Sequence, residues 1–107
     1  MASLQKSRDS TGYYITEGYH GRESRFVPRC NMGEMAEVLE KATSENPESS
    51  YVGDIKVEPT SPQANDVYLR QNGHQSILTR VEAQSLVGQI DKEAGRVGRE
   101  GRDAFKR

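Results

Sequence analysis

The chain has 107 residues, 33% of them hydrophobic and 29% charged, and its formal net charge of −1 by itself favours neither nucleic acid nor membrane as a partner. This length suits one domain with a modest core, and the single cysteine, Cys30, excludes an internal disulfide framework. No apolar run is long enough to span a bilayer or to form a signal-peptide core, so we expect a cytoplasmic protein without membrane contact.

The first elements in the chain are an arm and a hairpin. Residues 1–11 are polar and rich in Ser, Lys and Arg, and we expect a flexible N-terminal arm there. Residues 13–19 are mostly aromatic or β-branched, which favours a strand. After a turn at residues 20–23, a second strand is predicted over residues 24–29, with Pro28 at its end or at a sheet edge.

The first predicted helix follows directly. Asn31 stands where a helix cap accepts hydrogen bonds from free backbone amides, and Glu34 has the spacing of a capping box. An apolar stripe at helical spacing then predicts the buried face of this helix. Its members are Met35, Val38, Leu39 and Ala42.

Three further strands are predicted next. Residues 51–58 alternate, with Tyr51, Ile55 and Val57 on one side, which predicts one half-buried strand. Residues 66–71 and 74–78 flank Asn-Gly, the dipeptide that a type I′ hairpin turn favours.

The second helix has the clearest N-terminal signal. Thr79 and Glu82 have the spacing of a capping box. The Gly88 inside this helix lowers its stability relative to alanine, and we interpret it as the mark of a close packing contact. The predicted apolar stripe consists of Val81, Leu86, Val87, Ile90, Ala94 and Val97.

These elements occur in the order ββα–β–ββα. We predict an α+β fold, with a mostly antiparallel sheet of about five short strands, two amphipathic helices on one face, and flexible N- and C-terminal tails. The single domain is predicted over residues 12–95. Residues 96–107 form a Gly/Arg-rich C-terminal tail, either a frayed extension of the second helix or a disordered segment.

Arginine and tyrosine around the hairpins are the candidate partner-binding residues, because both types are enriched at interface hot spots. Arg25 and Arg29 are four residues apart on one predicted strand and so share a face. The alternative is an ordinary polar outer face. The candidate residues are Tyr14, Tyr19, Arg22, Arg25, Arg29 and Arg70.

The C-terminal tail carries the triplet Gly-Arg-x three times in succession. Flexible Gly/Arg segments can contact phosphate backbones, and arginine can stack on bases. The alternatives are a solvated tail and a segment that docks on an acidic protein surface. The candidate nucleic-acid contacts are Arg96, Arg99, Arg102, Lys106 and Arg107.

Motifs for catalysis are not found. The sequence has no phosphate-binding loop, no dinucleotide fingerprint and no nucleophile elbow. His20, Cys30 and His74 are isolated in sequence, whereas a metal site needs clustered ligands. We therefore predict no enzyme, no catalytic residue, no metal and no cofactor. A small enzyme or ligand binder with a pocket near these three residues is the less favoured alternative.

The function predicted from these observations is a small non-enzymatic module that binds a surface on another protein. Its size and polar composition are those of inhibitors and accessory regulators that phages or mobile elements direct at host protein complexes. The alternative is a nucleic-acid-binding protein that uses the Gly-Arg tail and the hairpin arginines. Free sheet edges are also compatible with a homodimer.

Overall fold

A computed structural model describes residues 2–17, 23–60, 66–95 and 105 of the chain. The described residues form seven strands, a short 3-10 turn and two α-helices. In chain order these are β1 (Ser3–Lys6), β2 (Gly12–Glu17), β3 (Glu23–Pro28), the 3-10 turn (Arg29–Asn31), α1 (Met32–Ala42), β4 (Ser50–Val52), β5 (Ile55–Pro59), β6 (Val67–Gln71), β7 (His74–Leu78) and α2 (Arg80–Ala94).

The strands form two antiparallel sheets. One has the order β1-β2-β3 and the other the order β4-β5-β6-β7. The α+β class and the two helices are as predicted. The prediction of one sheet with about five strands is corrected to two sheets with seven strands, because a strand precedes the first predicted hairpin and because residues 51–58 form a hairpin of their own.

The additional strand lies where a flexible arm was predicted. Strand β1 pairs with β2 from Ser3↔Thr16 to Lys6↔Tyr13. The Leu4 backbone N–H donates to Gln89 Oε1 of α2 at 2.9 Å, so the strand also contacts the second helix. Polar residues are tolerated in an edge strand. The polar sequence of this segment therefore gave no signal of its pairing.

Strands β4 and β5 replace the single strand predicted over residues 51–58. Val52 pairs with Ile55, and the two residues between them form a tight turn. Gly53 has a φ of +61° there, the positive value that the first of the two central positions of a type II′ turn requires. The pairing places Val52 on the same face of the sheet as Ile55. Val52 is therefore buried and Tyr51 points outward, whereas the prediction placed Tyr51 on the same side as Ile55 and Val57.

The second hairpin has the predicted turn. Asn72 and Gly73 both have positive φ, 50° and 82°, as a type I′ turn demands. The pairing from Val67↔Leu78 to Gln71↔His74 then fixes which side chains of β6 and β7 face the core.

Helix α1 buries the four residues of its predicted stripe. Its predicted cap is absent, because the 3-10 turn leads directly into the helix and holds Asn31 in a right-handed helical conformation with φ −97° and ψ −1°. Asn31 makes no side-chain capping bond, so the predicted box with Glu34 does not form.

Helix α2 begins with the predicted capping box. The Glu82 backbone N–H donates to Thr79 Oγ1 at 3.2 Å, and the Thr79 N–H donates to Glu82 Oε1 at 3.1 Å. The bond from the Thr79 backbone is the main cause that lowers the pKa of the Glu82 carboxyl below its ordinary value. The helix ends at Gly95, which has a left-handed conformation with a φ of +76°.

The buried face of α2 differs from the predicted stripe at its first turn. Leu86 and Ile90 are buried as predicted, but Val81 is 74% exposed. Ala83 and Asp91 are buried in addition. The spacing of 83, 86 and 90 is helical, so the real stripe starts two residues later than Val81. Val87 and Ala94 pack at the border of the core, and Val97 lies outside the described residues.

Phe105 belongs to the core, although the sequence predicts a flexible tail over residues 96–107. Its side chain is 3% exposed, and its ring meets the Tyr13 ring edge-on with 6.0 Å between centroids. The Arg29 guanidinium lies 5.6 Å from the centre of the same ring, and Arg29 Nη1 donates to the Phe105 carbonyl at 3.0 Å. A single aromatic residue near the end of the chain is thus anchored on β2 and on the 3-10 turn.

Replacement by alanine should change the free energy of unfolding in opposite directions at two glycines. A Cβ at Gly12 would lie 2.4 Å from the Val27 carbonyl oxygen and 2.6 Å from the Phe26 ring. Gly12→Ala should therefore cost about 1–3 kcal/mol in the free energy of unfolding, as overpacking does. At Gly88, by contrast, a Cβ would find no atom of the described residues within 4 Å beyond its chain neighbours and its own helix backbone.

The predicted packing role of Gly88 is therefore wrong, and Gly88→Ala should stabilise the protein by up to about 1 kcal/mol through helix propensity. Urea unfolding of both variants measures the two effects. A loss of stability in Gly88→Ala, or none in Gly12→Ala, would contradict the packing described here.

Candidate functional site

The four-stranded sheet has one face that the helices do not cover. On the side toward the helices, Val52, Ile55, Val57, Val67, Leu69 and Leu78 are buried in the core. Their neighbours in the alternation point the other way. We call these seven residues the outer face: Tyr51, Lys56, Glu58, Tyr68, Arg70, Gln75 and Ile77.

The outer face is ordered in two rows by the strand register. Tyr51 pairs with Lys56, Lys56 with Arg70, and Arg70 with Gln75, so one row crosses all four strands. A second row crosses three strands. Its members are Glu58, Tyr68 and Ile77. Neighbouring side chains in such rows lie close enough to interact directly.

Two large apolar groups of the outer face are open to solvent. Tyr51 is 60% exposed and Ile77 is 52% exposed. Between them the Arg70 guanidinium carbon lies 5.0 Å from the centre of the Tyr68 ring, and Lys56 Nζ lies 5.9 Å from the centre of the Tyr51 ring. These cation–π contacts hold the two long side chains against the face.

Glu58 balances the two cations of the outer face. Its Oε2 atom is 3.3 Å from Arg70 Nη1 and 3.8 Å from Lys56 Nζ. The same oxygen is buried and accepts no hydrogen bond from the described residues, so its contacts with the cations are ionic in character. One carboxylate therefore faces two positive charges, and the outer face keeps one net positive charge.

A cleft of about 390 Å³ opens at the end of the outer face where the two hairpin turns lie. The first row supplies Tyr51, Lys56, Arg70 and Gln75 to its wall. The turns supply Asp54 and residues 71–74. The cleft thus combines an aromatic ring, two cations, the Asp54 carboxylate, the His74 imidazole and several amide groups.

Arg25, on strand β3 of the other sheet, hydrogen-bonds to Gln71 in the wall of the cleft. Its side chain is 4% exposed, and its Nη2 donates to the Leu69 carbonyl at 3.1 Å and to Ser76 Oγ at 2.9 Å. Its Nη1 donates to Gln71 Oε1 at 3.4 Å, and Gln71 Nε2 in turn donates to Asp54 Oδ1 at 2.9 Å. A chain of hydrogen bonds therefore runs from β3 of the first sheet to the wall of the cleft.

The prediction that Arg25 contacts a partner is corrected, because a buried side chain has no surface to offer. Arg29 does not share its strand either, since β3 ends at Pro28 and Arg29 starts the 3-10 turn. Its guanidinium lies against Phe105. Arg70 is exposed on the outer face, and its contact with a partner stays a prediction.

Tyr14 is exposed on the three-stranded sheet. It packs on Phe26 with 5.2 Å between ring centroids and 62° between ring planes, and both rings are partly open to solvent. This pair is a smaller second patch, separate from the outer face of the other sheet. The remaining candidates lie outside the described residues: Tyr19, Arg22, Arg96, Arg99, Arg102, Lys106 and Arg107.

Sequence reasoning missed most of the outer face. The prediction of one strand over residues 51–58 placed Tyr51 inward with Ile55 and Val57. The usable signal was the alternation of β6, where the apolar pair Val67 and Leu69 implies that Tyr68 and Arg70 point outward.

Neither a metal cluster nor a long apolar helix occurs among the described residues. No three His, Cys, Asp or Glu side chains of residues 2–17, 23–60 and 66–95 gather where they could hold a metal ion. In the same part of the chain, no helix is long and apolar enough to cross a membrane. Comparisons of the chain with protein-family models, with curated proteins and with solved structures found no match.

Proposed function

We propose that the protein is a small non-enzymatic module that docks on another protein through the outer face of its four-stranded sheet. The observation that carries this proposal is the exposure of Tyr51 and Ile77 on one uncovered face, with Arg70 between them. Tyrosine and arginine are the types that most often dominate interface energies. A module of this kind acts by occupying its partner's surface, which suits an inhibitor or an accessory regulator.

The charge of the outer face favours a protein over a nucleic acid as the partner. Binding to a phosphate backbone draws its affinity from many unpaired cations. Here Glu58 lies against both Lys56 and Arg70, so the outer face keeps only one net positive charge, too little to follow a phosphate backbone. The nucleic-acid alternative rests on the Gly-Arg segment, whose arginines lie outside the described residues.

Site-specific photo-cross-linking in the native cells tests the proposal. A benzophenone amino acid placed at Tyr51 should give a light-dependent adduct with one protein. The same group at Val81, which is exposed on α2 away from the outer face, is the matched control and should give none. Adding Ile77→Asp to the Tyr51 probe should lower the adduct yield about tenfold or more, the loss expected for a hot-spot residue.

Three outcomes would contradict the docking surface. One is an equal yield of adducts from residues 51 and 81. Another is a yield that Ile77→Asp leaves unchanged. The third is an adduct that nuclease removes, since this would identify the partner as a nucleic acid. An adduct of two copies of the chain would instead identify the partner as a second copy.

A further inference from the structure

The cleft at the turn end of the outer face has features that docking alone does not require. We propose that it is a binding site for an organic anion with a planar body, such as a carboxylate or a phosphate monoester on an aromatic ring. A free small molecule and an acidic or phosphorylated side chain of the docked partner both offer this chemistry. In the second case the inference rests on the proposed function and names the group that the partner inserts.

The two cations are placed to receive the charged end of such a ligand. Lys56 and Arg70 are paired residues on neighbouring strands, and both line the cleft. An ammonium has three donors and a guanidinium has five. The contacts with Glu58 Oε2 therefore leave donors of both groups for an anion. Because that carboxylate oxygen is buried, it does not block the cleft sterically.

The Tyr51 ring offers a surface for the planar body. It is 60% exposed and belongs to the same wall as the cations. The amide of Gln71 is held by Arg25 and by Asp54, so this part of the wall is positioned before any ligand arrives. The Asp54 carboxylate offsets one of the two cations, so the lining of the cleft carries one net positive charge. The volume of about 390 Å³ is within the usual range for small-molecule sites.

The opposite effects of two substitutions distinguish a real site from general surface charge. Arg70→Gln removes a cation of the cleft and should weaken anion binding about tenfold, as the loss of a charge-assisted bond does. Glu58→Gln keeps the shape of the side chain but removes the competing carboxylate. It should therefore tighten binding about three- to fivefold, as expected for a partly exposed ion pair.

The experiment is a proton–nitrogen NMR titration of the full chain with phenyl phosphate as the probe. Inorganic phosphate, which lacks the ring, and phenol, which lacks the phosphate, are the matched controls. Each should bind at least about fivefold more weakly than phenyl phosphate, because the first lacks the contact with Tyr51 and the second lacks the contacts with Lys56 and Arg70. The shifts should cluster at Tyr51, Lys56, Arg70 and residues 71–75. Arg80→Gln removes an equal charge from exposed α2 and should leave the dissociation constant unchanged.

The proposal is overturned if Arg80→Gln weakens binding as much as Arg70→Gln, if Glu58→Gln fails to tighten it, or if the shifts lie away from the cleft. The titration needs no partner, so its failure leaves the cross-link at residue 51 as a separate test of docking. Cross-linking in a cell lysate with saturating phenyl phosphate then identifies the source of the anion, and it leaves Arg70, which belongs to the docking surface, unchanged. Loss of the adduct indicates a group of the partner, whereas persistence of the adduct indicates a free small molecule.

Discussion

Replacing Arg25 with methionine is expected to destabilise the protein by about 3 kcal/mol. The substitution keeps much of the side-chain volume but leaves the Leu69 carbonyl, Ser76 Oγ and Gln71 Oε1 without the donors that Arg25 gives them. A hydrogen bond to a charged group contributes about 1.5–3 kcal/mol, and Arg25 donates three of them from a side chain that is almost fully buried. Urea or thermal unfolding measures the change.

The matched control for this prediction is Arg70→Met. It removes the same group from the exposed outer face and should change stability by less than about 1 kcal/mol, as a surface ion pair does. A double-mutant cycle of Arg25→Met with Ser76→Ala should show coupling of at least about 0.5 kcal/mol, because the two side chains are in direct contact. Equal losses in the two methionine variants would show that Arg25 does not join the sheets.

Replacing Phe105 with alanine is expected to cost about 3 kcal/mol, in line with truncation of a buried aromatic residue. Removal of the Phe105 ring also exposes one side of the Tyr13 ring to solvent. In the intact protein, burial is the main cause that raises the pKa of Tyr13 above its ordinary value, and the Glu93 carboxylate adds to the effect. The variant should therefore bring the pKa of Tyr13 back toward that ordinary value.

An ultraviolet titration of the tyrosines measures this pKa, with Tyr13→Phe as the reference that assigns the signal. The sign of the linked stability follows from the raised pKa. Tyr13 makes its full contribution to the free energy of unfolding at pH values below the ordinary pKa of tyrosine. This contribution is lost as pH rises through the raised pKa of Tyr13 in the folded protein. Phe26→Ala, at an exposed ring, is the control and should leave the pKa of Tyr13 unchanged. An unaltered Tyr13 titration in Phe105→Ala would contradict the contact.

Local signals were sufficient for the parts of the fold that depend on local physics. The Asn72-Gly73 turn, the Thr79–Glu82 capping box and the α1 stripe each involve residues a few positions apart, and each is present as predicted. The split of the chain into two sheets could not be predicted in this way. It depends on long-range pairing, such as that of β1 with β2, and on a turn at Gly53 that fits inside a run of strand-like residues.

At the candidate site, too, the sequence predicted the residue types but not the long-range arrangement. The type of residue predicted for binding, arginine beside tyrosine, is present on the outer face, but mostly at positions that the sequence did not single out. Arg25 was misjudged because sequence alone does not show a second sheet behind β3 to accept its hydrogen bonds. Phe105 was misjudged because a lone aromatic residue among glycines and arginines has no periodic neighbours to indicate burial.

The contact between strand β1 and helix α2 has a consequence for synthesis on the ribosome. The Leu4 amide bonds to a side chain that lies 85 positions later, and Tyr13 packs on a ring that is later still. Contacts this distant close large loops, which makes folding slower than for locally connected proteins. The nascent chain can pair β1, β2 and β3 early, but it cannot complete the packing of this sheet before residues 89 and 105 have left the exit tunnel. The first sheet therefore emerges without these contacts, which gives chaperones an interval in which to bind it.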